Sequence, residues 1–150
     1  MKTLIGVIAL FVSFVICSLV IAVMTDYHYG VQINQHLKLA DDASTAEVKL
    51  EHLNNYVDAV KLNVKRNDAR YIFKQKQYTR DTQLEILDTL IIRLEDLTAM
   101  NPQSFEYQTG MGQITGQEFD NVLSRVNSIF WDCYRRETVW RWICTFPTVI

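Results

Sequence analysis

The sequence predicts an all-α protein, with one N-terminal transmembrane helix followed by a small helical bundle or helical hairpin with coiled-coil character. Three observations lead to this fold class. The segment 4–24 contains no charged side chain and no proline. No glycine occurs between Gly30 and Gly110, and Pro102 is the only proline in that interval. Apolar side chains in the same interval recur at alternating steps of four and three residues, which is the heptad pattern of packed helices.

The apolar segment, which begins at Leu4 and ends at Met24, has the length of a membrane span. At about 1.5 Å per residue it forms a helix of roughly 31 Å, which matches the hydrocarbon core of a bilayer. A cleavable signal peptide is the alternative, but its apolar region is usually only about 7–15 residues long and its cleavage site requires small side chains. We therefore expect a retained signal anchor in residues 1–25, which binds the chain to the lipid bilayer, and a connector in residues 26–43.

Charges on either side of the apolar segment predict its orientation. Lys2 and the N-terminal amine precede it, whereas Asp26 is the first charge after it and Lys38 is the next positive side chain. The positive-inside tendency therefore places the N-terminus in the cytoplasm and the C-terminal domain outside it, in the periplasm or the extracellular space. The net charge of −2 gives no reason to expect nucleic acid as a partner.

The domain formed by residues 44–150 is predicted to open with a helix over residues 44–77. Ser44 and Glu47 have the spacing of a capping box, in which each side chain satisfies a free amide of the first turn. The stripe of this helix consists of Ala46, Leu50, Leu53, Val57, Val60, Val64, Asn67 and Tyr71. Residues 30–42 are expected to form either a short connecting helix or an extension of the membrane span.

Two further helices are predicted, over residues 82–99 and 116–137. Between them, Asn101-Pro102 and the glycines at 110, 112 and 116 predict a loop over residues 100–115. The glycine spacing is one residue longer than the dinucleotide-binding fingerprint and no strand precedes it, so we interpret these glycines as turn residues. The apolar face of the last helix consists of Phe119, Val122, Leu123, Val126, Ile129, Phe130 and Cys133.

Charge is arranged in blocks along the first two of these helices. The stretch 61–80 contains seven basic side chains and one acid, whereas the stretch 81–96 contains five acids and one base. An antiparallel hairpin that folds back at residues 78–81, or at Asn67-Asp68, places opposite charges side by side. The heptad pattern also fits one long helix. The sequence therefore leaves open whether residues 44–99 form a hairpin or a single long helix.

Cys133 and Cys144 are the candidate disulfide partners. On one straight helix eleven residues separate them by roughly 16 Å, whereas a disulfide requires Cα atoms within about 7 Å. A bridge therefore requires the helix to break between them, near Glu137-Thr138. The alternative is two buried thiols, of which Cys133 continues the apolar face of its helix.

Aromatic and arginine side chains are concentrated near the C-terminus. Tryptophan, tyrosine and arginine are favoured both at membrane interfaces and in protein-binding hot spots. The same side chains could instead close the core of their own domain. The candidate residues for contact with a partner or with the membrane interface are Trp131, Tyr134, Trp140, Arg141, Trp142 and Phe146.

The sequence contains no recognisable catalytic or metal-binding pattern. His28, His36 and His52 form no His-x-x-x-His pair, and no second cysteine or histidine lies at zinc-ligand spacing from a first cysteine. We therefore expect a protein that is not an enzyme and that carries no cofactor.

The predicted layout favours a function in assembly. An anchor followed by a helical domain resembles the ligand-sensing ectodomains of bacterial receptors, and an anchor followed by a helical hairpin resembles phage lysis and accessory membrane proteins. Both resemblances concern architecture. The heptad stripe and the blocked charges favour an accessory or scaffold subunit of a membrane complex, bound through its helices to a protein partner or to a second copy of the chain. A ligand sensor and a phage-type lysis protein are the alternatives.

Overall fold

The computed structural model describes the backbone of residues 2–67, 79–114 and 117–145, and the side chains of residues 5–67, 79–113, 120–139 and 141. Within these residues all regular structure is helical and no strand occurs, as the sequence predicts. The helices are α1 (Lys2–Tyr29), α2 (Gln35–Asp42), α3 (Ala46–Asn63), α4 (Arg80–Thr98), α5 (Phe105–Ile114) and α6 (Gln117–Thr145), and a π-helical turn (Gly30–Asn34) joins α1 to α2.

α1, the π-helical turn and α2 form one continuous helix, which we call the rod. Its N-terminal part is long and apolar enough to cross a bilayer, with a mean hydropathy of 3.0 over the most apolar window. Beyond the apolar segment, one face of the rod is buried through Thr25, Tyr29, Ile33, Leu37 and Ala40. Steps of four residues in a regular α-helix turn the side chain by about 40° each. The wider π turn absorbs part of this rotation and keeps these side chains on one face.

α3 and α4 are two antiparallel helices and not one long helix. α3 begins after Thr45, whose hydroxyl accepts a hydrogen bond from the Val48 amide at 3.4 Å, so the N-cap is Thr45 and not the predicted Ser44. Near the other end of α3, the Asn67 carbonyl accepts a hydrogen bond of 3.0 Å from the amide of Arg80, the first residue of α4. The chain therefore reverses direction between the two helices.

α3 ends well before residue 77, the predicted end, because tertiary partners replace the helical hydrogen bonds that would follow. The Arg80 guanidinium donates to the carbonyl oxygens of Val64 at 2.7 Å and of Lys65 at 3.3 Å. The Lys65 amide donates to the Glu137 carboxylate at 2.9 Å. Backbone groups that a longer helix would pair internally are thus satisfied by α4 and α6. Residues 68–77 lie outside the described residues.

Residues 100–115 do not form the predicted loop, since α5 occupies most of them. A Cβ atom at Gly110 would overlap with the Leu97 side chain of α4, whereas at Gly112 it would meet nothing within 4 Å. Gly110 therefore allows α5 to approach α4 closely, and its role is packing and not turn formation.

α6 runs antiparallel to the rod. Asn127 of α6 lies beside Asn34, with 3.1 Å between their side-chain amide groups. One turn further along α6, the Trp131 ring lies beside Tyr29, with the ring centroids 5.0 Å apart. Successive turns of α6 thus approach the apolar part of the rod, and α6 continues past its predicted end at residue 137 to Thr145.

One hydrophobic core lies between the rod, α3, α4 and α6. The apolar stripe predicted for α3 is buried in it as far as Val64. Fully burying a large apolar side chain stabilises the fold by roughly 1.5–3 kcal/mol, so this core holds the four helical segments in place. The largest apolar side chains that are less than 2% exposed are Tyr56, Phe130, Ile33, Leu53, Leu87, Leu94, Val60, Val64 and Val126.

Candidate functional site

Four polar side chains meet in the core where the rod passes from α1 into α2. We call Tyr29, Asn34, Tyr56 and Asn127 the junction cluster. The side-chain oxygen of Asn127 accepts hydrogen bonds from the hydroxyls of Tyr29 at 2.7 Å and Tyr56 at 3.1 Å. Its side-chain nitrogen donates to the side-chain oxygen of Asn34 at 3.1 Å. One amide on α6 therefore connects the rod with α3.

Because the two tyrosines of the junction cluster are buried, their hydrogen bonds depend on how α6 is positioned relative to the rod and α3. Tyr56 is fully buried and Tyr29 is 5% exposed, so bulk water does not satisfy either hydroxyl. Burial raises the pKa of the Tyr56 phenol well above its ordinary value, and this phenol therefore remains a neutral hydrogen-bond donor. A buried polar group without a partner costs about 1–3 kcal/mol. A shift of α6 along the rod is consequently opposed by several such losses at once.

The π-helical turn places two members of the junction cluster on the same side of the rod. Tyr29 immediately precedes this turn and Asn34 is its last residue. Five residues in a regular α-helix turn a side chain by about 140°. A π turn closes hydrogen bonds over five residues and returns the side chain to the side from which it started. Both Tyr29 and Asn34 can therefore reach Asn127.

Two of the predicted contact residues, Trp131 and Tyr134, pack against the rod. The Trp131 ring meets the Tyr29 ring edge-on at 5.0 Å between centroids, and the Tyr134 ring lies 5.4 Å from it. Aromatic pairs of this kind contribute about 0.5–1.5 kcal/mol beyond their buried area. Both residues are half-buried and close the core at this end of the domain. Of the other candidates, Arg141 is exposed, and the side chains of Trp140, Trp142 and Phe146 lie outside the described residues.

A groove of about 670 Å³ opens beside these aromatic contacts. It lies between the rod, the end of α3 and the second half of α6. Its charged or titratable lining residues are His28, Lys65, Tyr134, Glu137 and Arg141. We call it the juxtamembrane groove, because His28 follows the last residue of the apolar segment by four positions.

At the opposite end of the domain, a buried lysine lies among carboxylates. Lys49 is 1% exposed, and its ammonium donates to the Asp41 carbonyl oxygen at 3.4 Å. Burial lowers the pKa of the Lys49 amine, against the opposing effect of Asp41, Asp120 and Asp42. Burial, together with the charge of Asp120 and a hydrogen bond to it, raises the pKa of Asp41. This group of charges joins α2 and α3 to the start of α6.

Cys133 and Cys144 do not have the geometry of an intramolecular disulfide. α6 is helical without a break from Gln117 to Thr145, so the break that a bridge requires near Glu137 is absent. Eleven helical residues separate the two cysteines by roughly 16 Å, well beyond the reach of a disulfide. Cys133 is a buried free thiol in the core.

No motif or spacing in the sequence predicts the junction cluster. Asn127 follows Val126 and precedes Ile129 and Phe130 on a helix whose apolar face is predicted correctly at these positions. An amide within a widened apolar face is a signal of a buried polar contact. Its partners could not be identified, since they belong to two helices that are distant in sequence.

The chemistry of the site is that of amides, phenols and exposed charges. Within the part of the chain that the structure describes, no group of three or more His, Cys, Asp and Glu side chains could hold a metal ion. Comparison with known protein families, with curated proteins and with solved structures finds no match. A proposal for the function therefore depends on the geometry of this chain itself.

Proposed function

We propose that this protein is a non-enzymatic, single-pass membrane protein that acts as an accessory or scaffold subunit of a membrane complex. Segment 4–24 crosses the bilayer, the N-terminus is cytoplasmic, and the helices beyond it form an extracytoplasmic bundle with coiled-coil character. The partner is a helical membrane protein or a second copy of this chain. The observation that carries the proposal is the continuous rod, which the junction cluster ties to α3 and α6.

A continuous helix holds the domain at a defined position relative to the bilayer. The stretch Ile5–Asp42 contains 38 helical residues, and at about 1.5 Å per residue it extends roughly 57 Å. Because Tyr29 and Asn34 are bonded to the same residue of α6, the domain has a defined height and rotation relative to the span. A scaffold requires such a fixed arrangement, whereas a signalling domain usually depends on a hinge or on helices that slide.

The side chains of the junction cluster support a structural role. Amides and neutral phenols donate and accept hydrogen bonds, but an activated nucleophile requires a neighbouring base or a lowered pKa. Burial has the opposite effect on Tyr56, whose pKa it raises. The cluster is therefore suited to holding helices together and not to transferring protons at neutral pH.

The experiment that tests this proposal is extraction of the tagged full chain from its native host in a mild detergent, followed by native mass measurement. The expected result is a defined complex with a second membrane protein or with further copies of this chain. A chain that is recovered as a monomer, under conditions that preserve other membrane complexes, contradicts the proposal.

The end of α6 is the first surface to test for assembly. Trp140→Ala combined with Trp142→Ala is expected to weaken the association at least about tenfold, since aromatic side chains dominate binding hot spots. Phe105→Ala is the matched control, because Phe105 is 78% exposed on α5 at the opposite end of the domain. An unchanged association in the double variant contradicts the role of this surface.

The juxtamembrane groove favours one alternative, a domain that binds a small polar ligand. Its volume of about 670 Å³ lies within the range of known ligand sites. A thermal-shift screen of the full chain in detergent, with polar metabolites and soluble cell-wall fragments, tests this function. No stabilisation by any of these compounds counts against it.

A further inference from the structure

The basic side chains of the domain are concentrated at the end of the domain that adjoins the apolar segment. The reversal between α3 and α4 and the second half of α6 both lie there. Together they carry three acidic side chains, Asp81, Asp132 and Glu137, and seven basic ones, Lys61, Lys65, Arg66, Arg80, Arg135, Arg136 and Arg141. The opposite end of the domain is acidic. The exposed acids on the elements that meet there are Asp41, Asp42, Glu47, Glu95, Asp96, Glu106 and Asp120.

The register of α6 brings the basic end to the level of lipid headgroups. Tyr29 lies five residues beyond the apolar segment, about 7 Å along the rod, and Tyr134 packs against it. The seven residues from Tyr134 to Arg141 descend by roughly 10 Å toward the bilayer. Arg141 and the backbone of residue 142 therefore reach the level at which the apolar segment ends, at Met24. The headgroup layer on each side of a bilayer is about 5–8 Å thick.

The juxtamembrane groove has the charge and the position to receive a headgroup. His28 lies about 6 Å beyond the apolar segment, within the headgroup layer. Lys65 and Arg141 are exposed and line the same groove. The one carboxylate in the lining, Glu137, accepts a hydrogen bond from the Lys65 amide at 2.9 Å.

We propose that the juxtamembrane groove binds the headgroup of an anionic phospholipid in the leaflet next to the domain. Lys65 and Arg141 attract the lipid phosphate, and tryptophan, which occurs twice in the last turns of α6, is a residue type favoured at membrane interfaces. This inference rests on the proposed membrane anchoring. It adds a specific partner to that anchoring, namely a lipid with a net negative headgroup.

Tryptophan fluorescence measures how closely α6 approaches each type of lipid. All three tryptophans, at positions 131, 140 and 142, belong to α6. The full chain is reconstituted into phosphatidylcholine vesicles in which a fixed fraction of the lipid is replaced by phosphatidylcholine or phosphatidylglycerol brominated near the carbonyl end of the acyl chains. Bromine quenches tryptophan fluorescence at short range. We expect phosphatidylglycerol to quench more strongly than phosphatidylcholine at the same mole fraction, and we expect high salt to remove the difference.

Two double variants that remove the same charge test whether the groove causes the preference for phosphatidylglycerol. Each cation near an anionic surface contributes roughly fivefold to binding. Lys65→Gln with Arg141→Gln is therefore expected to reduce the preference for phosphatidylglycerol at least about fivefold. Lys38→Gln with Arg93→Gln removes the same charge at exposed positions away from the groove and is expected to retain the preference.

Failure of this inference is distinguishable from failure of the proposed anchoring. Flotation of the full chain with pure phosphatidylcholine vesicles at alkaline pH measures anchoring alone, and loss of flotation contradicts the proposed function. A chain that floats but is quenched equally by both lipids, or by neither, overturns the lipid site. Equal loss of preference in both double variants overturns it as well, because net charge would then account for the effect.

Discussion

The Tyr29 hydroxyl lies 2.7 Å from the side-chain oxygen of Asn127, which is 98 positions later in the chain. This contact joins the end of α1 to the middle of α6, at the edge of the hydrophobic core. The same oxygen accepts a hydrogen bond from Tyr56 of α3 at 3.1 Å. Three helical segments are therefore aligned by one acceptor, and the stability of the domain should depend on it.

Asn127→Leu tests that dependence. Leucine is similar in size, but it removes the side-chain oxygen that Tyr29 and Tyr56 share and the amide that donates to Asn34. Tyr29 retains the backbone carbonyl oxygen of residue 127, at 3.1 Å, as an acceptor. We expect the free energy of unfolding to fall by about 1–3 kcal/mol, the cost of a buried polar group that loses its partner. Denaturant unfolding of the full chain in mild detergent, followed by circular dichroism, measures the change. Asn121→Leu, at an exposed position of α6, is the control, and equal stabilities of the two variants contradict the prediction.

The two glycines of α5 should respond differently to alanine. At Gly112 the added methyl group meets nothing within 4 Å, so Gly112→Ala should raise stability by about 0.5–1 kcal/mol through helix propensity. At Gly110 the same methyl group overlaps with the buried Leu97 side chain, and this overpacking opposes the gain. We expect Gly110→Ala to be less stable than Gly112→Ala by at least about 1 kcal/mol. Identical thermal unfolding of the two variants excludes the close approach of α5 to α4.

Arg80 should be required for the reversal between α3 and α4. Its guanidinium bonds to two carbonyl oxygens after α3 and to Asp81 at 2.8 Å. We expect Arg80→Ala to lower the free energy of unfolding by about 1–2 kcal/mol. Arg80→Lys should not restore it, because an ammonium lacks the planar fork of donors. Arg93→Ala, at an exposed position of the same helix, should change stability by less than about 0.5 kcal/mol, and an equal loss there contradicts the prediction.

The carboxylate of Asp41 at the end of α2, which lies beside Asp120 at the start of α6, should make stability depend on pH. Burial and Asp120 raise the pKa of Asp41 above its ordinary value of 3.8. The folded chain therefore binds this proton more tightly than the unfolded chain does, and the resulting stabilisation is lost as pH rises from about 4 through the raised pKa. Asp41→Asn should remove this component and give a flatter profile of melting temperature as the pH rises above about 4.

The control for the pH prediction is Asp58→Asn, which changes an exposed carboxylate of α3. This variant should retain the pH dependence of the unchanged chain. A profile for Asp41→Asn that coincides with that of the unchanged chain contradicts the assignment.

The elements that are predicted correctly all follow from a pattern within a single helix. The apolar stripe of α3 is buried at Ala46, Leu53, Val57, Val60 and Val64, and the apolar face of α6 is buried at Leu123, Val126, Ile129, Phe130 and Cys133. Helical periodicity is a local property, so the side chains that repeat with it identify the inward face before any partner is known. The same holds for the length of the first helix, which follows from an uninterrupted run of apolar residues.

The elements that are predicted wrongly all depend on a contact from another helix. The glycine spacing predicts a turn at Gly110, but this residue lies within α5, where Leu97 leaves no room for a side chain. Residues 64–67 were predicted to be helical, although Arg80 and Glu137 bind their backbone groups. In both places a contact from another helix outweighs the local preference.

Local patterns in the sequence predict that this chain is helical, that its first helix is long and apolar enough to cross a bilayer, and which faces of α3 and α6 are buried. Composition and spacing are sufficient for these properties because each is decided within a few turns of one helix. The tertiary structure alone decided that Asn127 meets Tyr29, that α6 runs toward the apolar segment, and that the basic side chains collect at that end. These features depend on how separate helices are aligned, and the free energy of burying polar and apolar groups together selects that alignment.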